Sequence, residues 1–421
     1  MIASALKNIY KKINNKVVHG VDVERMSYKQ QMEYLHKFPI PKDNFERSYF
    51  KYKCFCEYCY YRRKWMLLIY NIGAMFLISS IHSKLRRANR KAKLIDKVDA
   101  VIENIPRLPN SDFMPEELRN KYRKIKEIEL IDYNESLLSN IGEEIYQEVK
   151  RRYFFHFYYR LIVLQKLGQF SSYLVRYKPD IIAFYSCERE FSSPLQTLLC
   201  EKSGSRYISF MHGDYLSTLS FAFQKYSQYY VWDESYVKMF KTLKCDSPML
   251  VYRPKKLNGI ASAIEEDRCA YFATYYFSDE TQVEATKIYK VFKKFESYGM
   301  RTKIRPHPRF SNIEMLNKVF ADIEIEEPSN CSLSESITKS LFVVGLNTTV
   351  LSEAYFSGKK VVIDDISNSE KYKGLAERGY VMMNRPHILL SKLLGDSFKK
   401  YDKRFAFYDS NKILSKSGRK A

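Results

Sequence analysis

The chain is predicted to be an α/β protein carrying two domains of Rossmann type, each a parallel sheet layered with helices. Three observations predict it. Its 421 residues, 45% hydrophobic and 28% charged, are enough for two or three cores and exclude a mainly disordered chain. Short apolar runs alternate with helix-like stretches through most of the chain, the pattern of parallel strands joined by crossover helices. The alternation breaks once, at the polar and basic 253–267, where Pro254 and Gly259 suggest a linker. The expected organisation is a basic, mainly helical extension over 1–93, a first domain over 94–254, a second over 255–410 and a solvated tail over 411–421.

Residues 1–64 are aromatic, basic and weakly periodic, and suggest no fold. Residues 65–95 read as one helix running from apolar into basic. A strand is expected over 94–102, where Val98, Ala100 and Ile102 alternate with polar residues. Pro106 and Pro109 break the chain, and Pro115 opens a short helix at a position that needs no amide donor. A strand over 125–132 and helices over 134–177 follow. Strands are then expected at 181–185, 206–211, 226–232 and 249–252, with helices at 192–202 and 235–243 between them. Beyond the linker, strands fall at 269–276, 301–305, 323–325, 341–344 and 360–363. Helices fall at 279–297, at 349–357, stopped by Gly358, and at 388–406.

Net charge is +22, and residues 1–100 hold 21 Lys and Arg against 8 Asp and Glu. A basic N-terminal quarter suits a polyanion: anionic lipid, nucleic acid or an acidic polymer. Residues 65–83 carry no Asp, Glu, Lys or Arg and have basic flanks. A membrane span, an interfacial helix and an ordinary packed helix are the three readings of that segment. No cleavable leader is evident in residues 1–20. Most of the eight cysteines are scattered singly, as buried thiols in a reducing compartment would be. Cys54, Cys56 and Cys59 are close together, but no second pair completes a metal site, and none is expected.

Two motifs in the second half carry the chemistry. Arg305-Pro306-His307-Pro308-Arg309 ends one strand, and Gly345-Leu346-Asn347-Thr348-Thr349 ends another, with Glu353 one turn into the following helix. Strand carboxyl ends are where open α/β sheets bind ligands, and a helix start favours phosphate. The two prolines hold His307 rigidly beside Arg305 and Arg309, a set suited to a phosphodiester or diphosphate. Asn347, Thr348 and Thr349 read both as helix caps and as phosphate contacts, and Glu353 as a partner of ribose hydroxyls or of a lysine. In the first half His212-Gly213-Asp214 ends a strand, with Gly213 expected to allow a sharp turn and His212 a candidate general base beside Asp214. Glu188, Arg189 and Glu190 follow the 181–185 strand and are candidates for holding an acceptor. No P-loop, dinucleotide fingerprint, zinc-protease motif, nucleophile elbow or D-x-D pair is present. Asp364-Asp365 is read as a strand end.

These residues resemble the GT-B class of bacterial surface-polysaccharide transferases over about 180–385. Within it the motifs are similar to two groups: capsular sialyl- and polysialyltransferases, and CDP-glycerol polyol-phosphate transferases of teichoic acid synthesis. The resemblance implies a GT-B fold, two Rossmann-like domains with a cleft between them, and a metal-independent, inverting glycosyltransferase without a cofactor. It implies that the donor is a CMP- or CDP-linked sugar or polyol in the second domain, with His307 and Thr348 and Thr349 on its phosphate. His212 would be the base acting on a glycan or lipid-linked acceptor. The chain lacks the acidic pair before glycine of the sialyl group, since Asp214 follows Gly213. It also has Asn347-Thr348-Thr349 where the polyol-phosphate group has an aspartate-rich motif. Donor sugar and polyol phosphate therefore both remain open. The expected location is the cytoplasmic, anionic face of the cell membrane, without nucleic acid. The reading from another class is a non-catalytic polyanion- or nucleic-acid-binding protein, for which charge speaks but no reading module does. A membrane scaffold is the third.

Overall fold

The computed structural model describes residues 26–61, 63–103, 114–128, 136–185, 190–254 and 269–395. The chain forms two compact units, 1–212 with 217–254, and 213–216 with 255–421. The short segment 213–216 thus belongs to the second unit, although its neighbours in sequence belong to the first.

The first unit begins with three helices, α1 (Tyr28–His36), α2 (Asn44–Cys59) and α3 (Trp65–Arg90). A capping box of Ser27 and Gln30 starts α1, and Asp43 accepts the Glu46 amide to start α2. Neither helix was legible in the sequence. The buried side of α2 is polar as well as aromatic. Ser48 Oγ donates to the Phe191 carbonyl (2.9 Å), Lys51 Nζ to those of Ser220 (3.3 Å) and Ala222 (3.4 Å), and Arg47 to that of Lys244 (2.9 Å). A face that needs these charged partners does not score as an amphipathic stripe. The described part of the expected extension is therefore packed into the first unit. The three clustered cysteines lie buried on α2, where burial pushes the Cys56 thiol up.

The first sheet contains β1 (Ala100–Glu103), β2 (Ile125–Ile128), β3 (Ile181–Phe184), β4 (Arg206–Phe210), β5 (Gln228–Val231) and β6 (Met249–Val251). All six are parallel, in the order β2-β1-β3-β4-β5-β6. Intervening helices are α4 (Glu116–Lys121), α5 (Asn140–Arg152), α6 (Phe157–Tyr177), α7 (Ser193–Lys202) and α8 (Glu234–Thr242). β1 starts later than expected, because the amides of Ile95, Asp96 and Val98 bond to carbonyls at the end of α6 instead of a neighbouring strand. Phe170 and Tyr173 of α6 pack edge-on against Phe184 and Tyr207, which closes one face of the sheet.

The second sheet contains β7 (Tyr271–Tyr276), β8 (Thr302–Arg305), β9 (Glu324–Ile325), β10 (Ser340–Gly345), β11 (Lys360–Ile363) and β12 (Ile388–Leu389). Its order is β12-β11-β10-β7-β8-β9, all parallel, which is the doubly wound dinucleotide-type order. The helices are α9 (Gln282–Ser297), α10 (Ile313–Val319), α11 (Leu333–Thr338), α12 (Thr349–Phe356), α13 (Ser369–Glu377) and α14 (Leu390–Leu394). Residues 388–389, expected as helix, are a strand paired with Val362 and Ile363. Two residues are too few to show a period of two. The units meet in sequence at Pro254–Lys255, and most of the expected linker lies outside the described residues, as do the tail and the rest of the 388–406 helix.

Candidate functional site

The order of the second sheet reverses at β7, with β8 on one side and β10 on the other. Tyr276 of β7 lies level with Arg305 of β8, and Tyr275 with Val344 of β10. The two motifs therefore start in one row at the carboxyl edge. They end β8 and β10, which are separated by β7. The spacing between them is two strand widths, about 10 Å.

His307 is held by its own turn. Its Nδ1 accepts the amides of Arg309 (3.0 Å) and Phe310 (3.3 Å), and its ring stacks on Phe310 at 4.5 Å. A nitrogen that accepts carries no proton, so Nε2 carries it and is the ring's donor. Partial burial and the charge of Arg309 hold the His307 pKa below its usual 6.5, with Asp279 opposing weakly. The ring is thus a neutral donor at neutral pH. The His307 amide donates to Ser311 Oγ (2.8 Å), and that hydroxyl donates to the Ser278 carbonyl (3.1 Å). One serine thereby ties the loop after β8 to the loop after β7.

The arginines of this motif differ. Arg309 is exposed. Arg305 is buried, donating to Glu326 (2.7 Å) and to the Cys331 carbonyl (2.8 Å). Lys303, 1% exposed in its side chain, pairs with the same carboxylate. Glu326 falls to about 2: its cationic partners outweigh the desolvation that alone would raise it. In this structure the Arg305 side chain serves to hold the end of β8.

At the end of β10, Thr348 caps α12 by accepting the Val350 amide (3.4 Å), with Asn347 and Thr349 half-buried beside it. Gly345 is required there: a Cβ would come within 2.9 Å of Thr348 Cγ2. Glu353 is buried inside the first turns of α12. Ser352 Oγ donates to Asp214 (2.6 Å) and accepts from Arg385 (3.1 Å). Arg385 in turn lies over the rings of Tyr355 and Phe356. Segment 213–216 is thus fastened to α12 by Asp214.

Gly213 has no left-handed φ, and a Cβ on it would be in ordinary contact with Thr349 Oγ1 at 3.8 Å. The chain does bend at that glycine, without a left-handed backbone. His212, half-buried, precedes it at the end of β4, where Met211 still bonds to Tyr230. Of the expected acceptor residues, Glu188 and Arg189 lie outside the described residues. Glu190 accepts from Lys166 and, at 3.4 Å, from Gln196.

Sequence reasoning missed Glu280, in the loop after β7. It is 8% exposed and accepts the Ser278 amide (2.5 Å). Burial pushes its carboxyl up to about 7 against the pull of that amide and of Lys371. Asp-Glu before a helix cap reads as a solvated start, so no local signal marks it. Asp364 ends β11 and is buried, accepting from Tyr275 (2.8 Å) and from the amides of Ile366 and Ser367. Among the described residues no three His, Cys, Asp or Glu come together as metal ligands do.

No family model and no curated protein matches the chain. Solved structures similar to it include the wall teichoic acid polymerase TagF, at 10% identity and a TM-score of 0.44 over 81% of this chain and 90% of that one. A putative UDP-N-acetylglucosamine 2-epimerase from Listeria monocytogenes is similar at 12% identity and 0.39, over 67% and 82%. The UDP-GlcNAc 2-epimerase of Neisseria meningitidis is similar at 11% identity and 0.41, over 76% and 99%. Likeness at these scores describes a similarity of form and assigns no activity.

Proposed function

We propose that the chain is a transferase that moves a sugar or a polyol phosphate from a nucleotide-activated donor, a cytidine nucleotide, to a glycan or lipid-linked acceptor in bacterial surface-polymer synthesis. The observation that carries this reading is the fixed tautomer of His307 at the switch of the doubly wound sheet. A neutral ring with Nε2–H as its donor suits a phosphate oxygen, because it places no charged group that must be desolvated first.

In the proposed reaction the donor phosphates sit at the carboxyl edge of the second sheet. His307 Nε2–H and the start of α12, with Asn347, Thr348 and Thr349, stabilise the charge that grows on the leaving phosphate. Arg309 adds an exposed positive charge beside them. Arg305 acts by holding the strand end. His212 takes the proton of the acceptor hydroxyl.

Thermal-shift titration with CMP, CDP, UDP, GDP and ADP tests the reading, since a ligand of the native state raises the melting point by mass action. Stabilisation by CMP or CDP that is lost in His307→Ala is the expected result. Stabilisation by UDP or GDP alone would replace the cytidine donor. No response to any nucleotide by folded protein would remove the donor site.

A further inference from the structure

We infer that one face of α3, together with the turn between α5 and α6, is a lipid-facing surface that lays the first unit on an anionic bilayer with α3 in the plane of the interface. Trp65, Leu68, Ile69, Ile72, Met75 and Phe76 are all between 43% and 73% exposed. At a helical period they fall within about 120° of arc. Met66, Tyr70, Ala74, Ile78 and Leu85 are buried on the opposite side. Leu85 reaches the backbone of α6 at Gly168, where a Cβ would meet it at 3.0 Å. The exposed stripe is therefore not needed to hold the helix in place.

A second element lies at the edge of the stripe. Asn71 Oδ1 accepts the Tyr158 amide (3.1 Å), which brings the turn before α6 against the flank of α3. That turn carries Phe154 and Phe155, 52% and 79% exposed. Large aromatic side chains left in water on two adjoining elements form an apolar patch with no function in the fold.

The charges around the patch select the occupant. Arg63 stands before it and Arg87, Arg90 and Lys91 after it, while Lys64 and Arg86 pair with Glu57 and Glu143, and no acidic residue lies between 63 and 91. An apolar stripe between cationic ends matches acyl chains and anionic headgroups. The helix is long and apolar enough to cross a membrane. However, its buried face is packed on the α/β unit over five turns, and a spanning helix has lipid or other spanning helices on every side. The in-plane orientation satisfies both faces.

The full chain contains two tryptophans, of which Trp232 is buried, so a change in emission on adding lipid reports Trp65. We expect a blue shift and co-sedimentation with vesicles of phosphatidylglycerol and phosphatidylcholine. Leu68→Glu with Phe76→Glu, and separately Phe155→Glu, should weaken vesicle binding about tenfold or more. Residues 1–62 are kept in every variant, so their charge is constant. The positions are exposed, and an unchanged melting point checks folding. Vesicle binding unaltered by these substitutions would overturn the proposal, as would an unshifted Trp65 emission. A concentration-dependent dimer that the substitutions dissolve would assign the face to a second copy and also overturn it.

Discussion

Replacing Glu280 by Gln is expected to stabilise the second unit in mild alkali and to leave it unchanged in acid. Burial moves the Glu280 carboxyl from 4.5 to about 7 in the native state. Between those values the native protein holds a proton that the unfolded chain has released, so stability declines as pH rises through the interval. At ~1.4 kcal/mol per pKa unit, the penalty above the native pKa is about 3 kcal/mol. Glutamine is neutral, close in shape and still able to accept the Ser278 amide through its carbonyl oxygen. Asp279, Lys371 and Tyr275 face the same group and are unchanged in the variant. The gain near pH 8.5 should be ~2–3 kcal/mol, or about 4–10 °C in the Tm of a unit of this size. Near pH 4, below both the unfolded and the native value of Glu280, the variant and the wild type should melt together. Thermal denaturation of the full chain at both pH values measures the difference. An equal shift at the two values, or none in alkali, would refute the buried neutral carboxyl.

Other expectations follow from the same unit. His307→Ala should lower turnover ~100-fold or more with little change in Tm, because the ring touches mainly its own turn. Wild-type activity should fall in acid as His307 gains its second proton, at a pH below 6.5. A rate profile that stays flat through that region would contradict the neutral donor. Glu326→Ala should cost ~3–5 kcal/mol in urea unfolding by stranding buried Lys303 and Arg305. The wild-type pair itself should lose its contribution only as pH falls from 4.5 towards about 2. Gly345→Ala should displace Thr348 and cost ~1–3 kcal/mol, with nucleotide stabilisation weakened at the same time.

The elements that the sequence made legible are those with a strong local cause. β3, β4, β7, β10 and β11 are continuous apolar runs bounded by polar or turn residues, and their parallel pairing follows from the helices between them. The rigid turn at His307 is written in its two prolines, and the cap of α12 in its threonines. Local pattern also identified a helix over 65–95, observed at Trp65–Arg90, but its apolar stripe has the same appearance whether it faces protein, lipid or water.

What tertiary structure alone decided is a matter of neighbours. Strand order is not written in any strand, so β7 came between the two motifs only when the sheet was assembled. Arg305 looked like a ligand group until β9 brought Glu326 to it. Nothing local marked Glu280, which folding buries in the loop after β7. Asp214 follows His212 in sequence, and folding brings Ser352 to it from 138 positions away. Charge and hydrogen bonding are properties of pairs, and where the members of a pair lie far apart in the chain, the sequence names the groups and only the fold introduces them to one another.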